Sequence, residues 1–73
     1  MNPKKCKELL AGVYGAFHHG AELSEKMWAG LERNVEPSRE DVFSLARAAR
    51  VASTNTQALE NMAVGLREPR TGD

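Results

Sequence analysis

Seventy-three residues allow one domain at most, and ten acidic against ten basic side chains leave no net charge, which argues against the strongly basic surface that non-specific phosphate binding requires. A single core in a chain this short supplies at most about 3 to 5 kcal/mol, so small folds usually add disulfides, a metal or a second copy of themselves. The lone Cys6 excludes an internal disulfide, and the adjacent pair His18 and His19 cannot complete a structural zinc site, which leaves association.

The first element opens at Asn2-Pro3: asparagine can cap the free amides of a helix, and proline at the first helical position loses nothing by lacking its own. Apolar or small residues then recur in steps of four and three at Cys6, Leu10, Val13, Phe17, Gly20, Ser24, Met27 and Leu31, the spacing of a helical seam. The helix is expected to cover about residues 3–33 and to stop in a Schellman-type turn, with Asn34 left-handed and Val35 folded back against Leu31. Glycine costs about 1 kcal/mol relative to alanine inside a helix. A break at Gly20 giving three helices is therefore the alternative, but the seam keeps its phase across Gly20, which favours two.

Pro37 breaks the chain, and Ser38 with Asp41 three residues on resembles a capping box. A second helix is predicted over about residues 38–67, with its seam at Val42, Leu45, Ala49, Ala52, Thr56, Leu59, Ala63 and Leu66; Pro69 stops it, and the tail from Arg70 frays. Two helices of equal length joined by so short a turn must run antiparallel. The fold class expected is thus all-α, an antiparallel two-helix hairpin forming a single domain. Centring the turn near Val35 and Glu36 pairs Leu31 with Val42, Met27 with Leu45, Gly20 with Ala52, Val13 with Leu59 and Cys6 with Leu66. Small residues at the waist let the backbones approach closely or leave a notch between Phe17 and Met27.

Apolar side chains remain beside these seams: Leu9, Tyr14, Leu23 and Trp28 on the first helix, Val51 and Met62 on the second. One neighbour cannot cover a stripe so wide, and the simplest way to supply more is a homodimer of hairpins forming a four-helix bundle. Tyr14 and Trp28 lie close to four helical turns apart and share a face, and aromatic anchors dominate many interfaces. The residues expected to bind a partner are Tyr14, Leu23, Trp28, Arg47 and Arg50. The two arginines could grip phosphate or an acidic partner, although Glu40 and Asp41 one or two turns earlier are their more natural ion-pair partners.

No catalytic constellation, cofactor or metal is expected. His18, Glu22 and Glu25 could share a face, but three ligands on one helix make a poor cage. Cys6 reads as a small buried thiol with no base beside it, and the run Ser53 to Gln57 as polar surface with no acid or base among its side chains. No apolar run approaches the roughly 20 residues that span a bilayer, and the N-terminal segment is too interrupted for a signal peptide. A cytoplasmic location follows.

Trp28-Ala29-Gly30 resembles the Trp-X-Gly signature of the small secreted hairpins of the type VII secretion family. There the motif occupies the turn, whereas here it precedes the predicted turn by nearly two helical turns, so that function is not carried over. The format is similar to that of small antagonists and adaptors made by phages and mobile elements, which occupy a surface of a larger host protein. The function expected is a non-catalytic protein–protein interaction module, an adaptor or inhibitor, with an unidentified protein partner besides itself. The alternative is a dimeric nucleic-acid-binding regulator aligning Lys4, Lys5, Lys7, Arg47 and Arg50, whose binding would fall steeply with salt.

Overall fold

The computed structural model describes residues 2–67, with side chains through residue 65, as two α-helices. Helix α1 spans Pro3–Glu32 and helix α2 spans Arg39–Arg67, and they pack against each other as a hairpin. The expected stop at Pro69, the frayed tail and the side chain of Leu66 lie outside the described residues.

The start of α1 follows the local chemistry of Asn2-Pro3. The Asn2 Oδ1 accepts from the amides of Lys4 and Lys5 at 3.0 and 3.2 Å, satisfying two donors that the first turn leaves free. The helix runs through Gly20 without a break, so the two-helix reading holds over the three-helix one. It ends in a Schellman motif: Asn34 is left-handed (φ 62°), and Asn34 N and Val35 N donate to Leu31 O and Gly30 O at 3.0 and 2.8 Å. Val35 folds back onto Gly30, where an added Cβ would stand 3.7 Å from the valine side chain. At the start of α2, Ser38 Oγ accepts from Asp41 N at 3.0 Å, the N-cap that the Ser-x-x-Asp pattern announces.

The seam between the helices corrects the expected one. Leu10, Phe17, Leu31 and Val42 are exposed. The seam of α1 is a run of buried and half-buried residues at Cys6, Leu9, Val13, Ala16, Gly20, Leu23, Met27 and Gly30. That of α2 follows the same rhythm at Asp41, Leu45, Ala48, Ala52, Asn55, Leu59 and Met62, with Gly12 and Ala29 on α1 and Ser44, Ala46 and Ala58 on α2 half-buried beside it. On both helices one half of the expected seam is kept, and the other half moves back by one residue. On α1 both phases are apolar or small in the sequence, so periodicity alone does not choose between them. The phase adopted puts Ala16, Gly20, Gly30, Ala48 and Ala52 between the helices, where small residues let the axes approach closely.

The register also differs, by about one heptad. Gly20 faces Leu45 and not Ala52, Lys26 reaches Asp41 with Nζ to Oδ2 at 3.0 Å, and Asn55 Nδ2 donates to Leu9 O at 3.4 Å. The cause is the connection. After the Schellman turn the chain does not cross directly to α2, but doubles back along the last turns of α1 before Ser38 caps the next helix.

The result is long and thin, 62 × 20 × 16 Å, with a radius of gyration of 17.3 Å where a compact chain of this length would have about 11 Å. Among the described residues only Leu9, Ala48 and Ala52 form the buried hydrophobic core, and no side chain is completely enclosed.

Candidate interaction surface

Moving the seam back by one residue leaves a second apolar row on α1. Each member follows a seam residue: Leu10, Tyr14, Phe17, Ala21, Ser24, Trp28 and Leu31, a full alternation of four and three. One residue along an α-helix is a rotation of about 100°, so this outer row faces nearly at right angles to α2. Its five large members are 51% (Leu10), 66% (Tyr14), 63% (Phe17), 69% (Trp28) and 53% (Leu31) exposed. With aromatic side chains of about 150–250 Å² each, the five together offer roughly 500 to 600 Å², at the top of the range for the largest apolar patch on an ordinary monomer.

Tyr14 and Trp28 therefore stand where the sequence places them, on one exposed face, and Tyr14 meets the His18 ring edge-on with centroids 6.3 Å apart. Leu23 does not join them: it turns into the seam and is half-buried among the hairpin's own residues. Leu10, Phe17 and Leu31, expected between the helices, belong to the outer face instead. The signal that identifies them is the completeness of the second row, which emerges only when the seam is read in its other phase.

On α2 the row following the seam is Val42, Ala46, Ala49, Ser53, Thr56, Glu60 and Ala63. In an antiparallel pair, one step forward from the seam turns toward the same broad face on both helices. Val42, Ala46 and Ala49 thus continue the apolar surface of α1 across the turn-proximal half of α2, and Ser53 onward continues it with polar groups.

The opposite broad face carries an open groove of about 300 Å³, lined by Gly12, Gly15, Ala16 and His19 from α1 and Arg47 and Val51 from α2. Here the small waist residues produce a notch, though on the other side of the hairpin from the large apolar row. Arg50 lies beyond it beside Thr54 and Asn55. Among the described residues neither Arg47 nor Arg50 forms an ion pair, and the expected pairing with Asp41 is corrected because Lys26 takes that carboxylate across the hairpin. The Lys26 contact holds Asp41 below the usual carboxylate range, partial desolvation opposes it, and the Ser38 hydroxyl adds to the lowering. The lysines of the N-terminus lie beside the far end of α2, about 15–20 Å along the axis from Arg50 at 1.5 Å per residue, so the basic residues do not merge into one patch.

His18 approaches Glu22 at 3.8 Å. Among the described residues no group of three or more His, Cys, Asp or Glu side chains could hold a metal ion, and no helix is long and apolar enough to cross a membrane. Asn55, read from the sequence as ordinary polar surface, is half-buried and bridges the helices through its bond to Leu9 O. The chain matches no protein-family model, no curated protein and no solved structure.

Proposed function

We propose that this hairpin is a non-catalytic protein–protein interaction module: copies associate through the outer face of α1 into a four-helix bundle, and the bundle works as an adaptor or inhibitor by occupying a surface of a larger protein. The observation that carries this reading is the exposed row Leu10, Tyr14, Phe17, Trp28 and Leu31. A hairpin with three buried core residues among those described has little of its own to hold it together, so the large side chains that would ordinarily stabilise a small fold stand ready for a second surface.

Surface area supports the same reading. The chain exposes 5959 Å², whereas a compact monomer of its mass exposes about 4,450 Å². The excess is nearly twice the roughly 800 Å² that each partner contributes to a standard interface. The test is to place charge on the face by Phe17→Lys with Trp28→Lys, against Thr54→Lys as a control away from it. Loss of association in the double variant, with helicity falling alongside it and the control unchanged, is expected. A double variant that associates as the wild type does would overturn the reading.

A further inference from the structure

The outer rows on the two helices carry enough pattern to say how a second copy would lie on this face. We infer that two hairpins pair through α1 against α1 in antiparallel fashion, about a two-fold axis passing between Phe17 and Ala21. The inference rests on the outer face of α1 being the contact surface.

The inner seam and the outer row of α1 are about 100° apart, close to the right angle at which a corner helix of a square four-helix arrangement meets its two neighbours. A two-fold pairing of identical rows must be self-complementary. With the axis between Phe17 and Ala21, Phe17 packs on Ala21 of the second copy, Tyr14 on Ser24 and Leu10 on Trp28. Each aromatic ring then lies over a small or aliphatic residue, and the narrow waist of the row is filled. Sliding the pair by one heptad would in one direction stack Phe17 on Trp28 and leave Ala21 facing Ser24 across a void, and in the other stack Phe17 on Tyr14 and set Ser24 against Lys7. A parallel pair would bring Trp28 onto Trp28 and Glu32 onto Glu32.

Two further features agree with this register. Lys4 comes to lie beside Glu32 of the second copy at both ends of the interface, since both stand at the solvent edge of α1, and Lys7, which continues the outer row after Cys6, lies over Leu31 with its charge next to the same Glu32. On α2, the contacts of Gly20 with Leu45 and Lys26 with Asp41 put the level of the axis near Ala46. Ala46 is the centre of the apolar half of the α2 outer row, so it meets its own counterpart while Val42 meets Ala49. The polar half, Ser53 onward, falls outside the overlap. The area offered by α1 with Val42, Ala46 and Ala49 is of the size each partner supplies to a standard interface, about 800 Å².

The experiment is sedimentation equilibrium on the whole chain as wild type, Glu32→Lys, Lys4→Glu with Lys7→Glu, and the triple variant. The wild type is expected to be a dimer. Each of the first two variants replaces attraction by repulsion at both ends and should weaken the dimer roughly tenfold, whereas the triple variant should return to within about threefold of wild type. A wild-type dimer whose triple variant is as weak as the two partial ones combined would overturn the register and leave association through this face standing. A wild type that stays monomeric would overturn the second copy as occupant, and the face would then belong to a different protein.

Discussion

The glycines of α1 distinguish close helix contact from open space, and alanine substitution reads the difference. In a helix interior Gly→Ala gains about 1 kcal/mol. At Gly20 the new methyl would meet only Leu45 Cδ1 at 3.7 Å, an ordinary contact, so Gly20→Ala should stabilise by about the full amount and raise Tm by about 4–8 °C. At Gly12 the same methyl would occupy the position of the Asn55 amide nitrogen. Asn55 must then swing away and release its bond to Leu9 O, which forfeits about 0.5–1.5 kcal/mol and cancels the gain. Removing the obstacle restores it: in an Asn55→Ala background, Gly12→Ala should again stabilise by about 1 kcal/mol, a coupling of about that size between the two sites. Urea unfolding followed by circular dichroism at one fixed protein concentration measures all four members of the cycle, since association would otherwise mix into the stability. If Gly12→Ala stabilised the wild type as much as Gly20→Ala does, the packing of Asn55 against Gly12, and the register it helps define, would be wrong.

Substitutions at three further positions test the caps of α1 and the ion pair between the helices. Asn34→Ala should cost about 1 kcal/mol because alanine resists the left-handed turn (φ 62°) that ends α1, and Asn34→Gly should cost nothing or stabilise slightly; thermal melts compare the pair. Asn2→Ala removes the acceptor of two first-turn amides and should lower stability by about 1 kcal/mol, or Tm by about 4–8 °C. Asp41 has a lowered pKa, chiefly because of Lys26, so its contribution is present in full above the unfolded carboxylate value of about 3.9 and is lost as pH falls through the lower folded value. Lys26→Met should therefore flatten the acid limb of a stability profile at low salt, and an unchanged acid limb would count against the pair.

The all-helical hairpin was legible in the sequence because its punctuation is local. Asn2-Pro3, Asn34-Val35 and Ser38-x-x-Asp41 act through hydrogen bonds within a few residues, and each forms as its chemistry dictates. The rotation of the seam was not legible in the same way, because Leu9 and Leu10, or Ala16 and Phe17, satisfy the same period. Reading the larger residue inward is the usual choice, and it fails at Ala16 and Phe17 and at Gly30 and Leu31, where the small residue lies between the helices and the large one faces outward, although Leu23 turns inward in preference to Ser24. The register escaped for another reason, since it depends on the path of the connection after the Schellman turn, which no spacing records. Of the residues expected to bind a partner, Tyr14 and Trp28 share an exposed face, as their spacing indicates. Leu23 lies in the seam, and Phe17, which the period places as readily between the helices, stands on the exposed face.

Light scattering coupled to size exclusion across a dilution series, with Trp28 emission recorded on the same fractions, tests most directly whether the outer face of α1 is a contact surface. The expected result is a species of twice the chain's 8.0 kDa mass with blue-shifted Trp28 emission, both lost together on dilution. A stably helical monomer at every concentration, with Trp28 in water throughout, would contradict it.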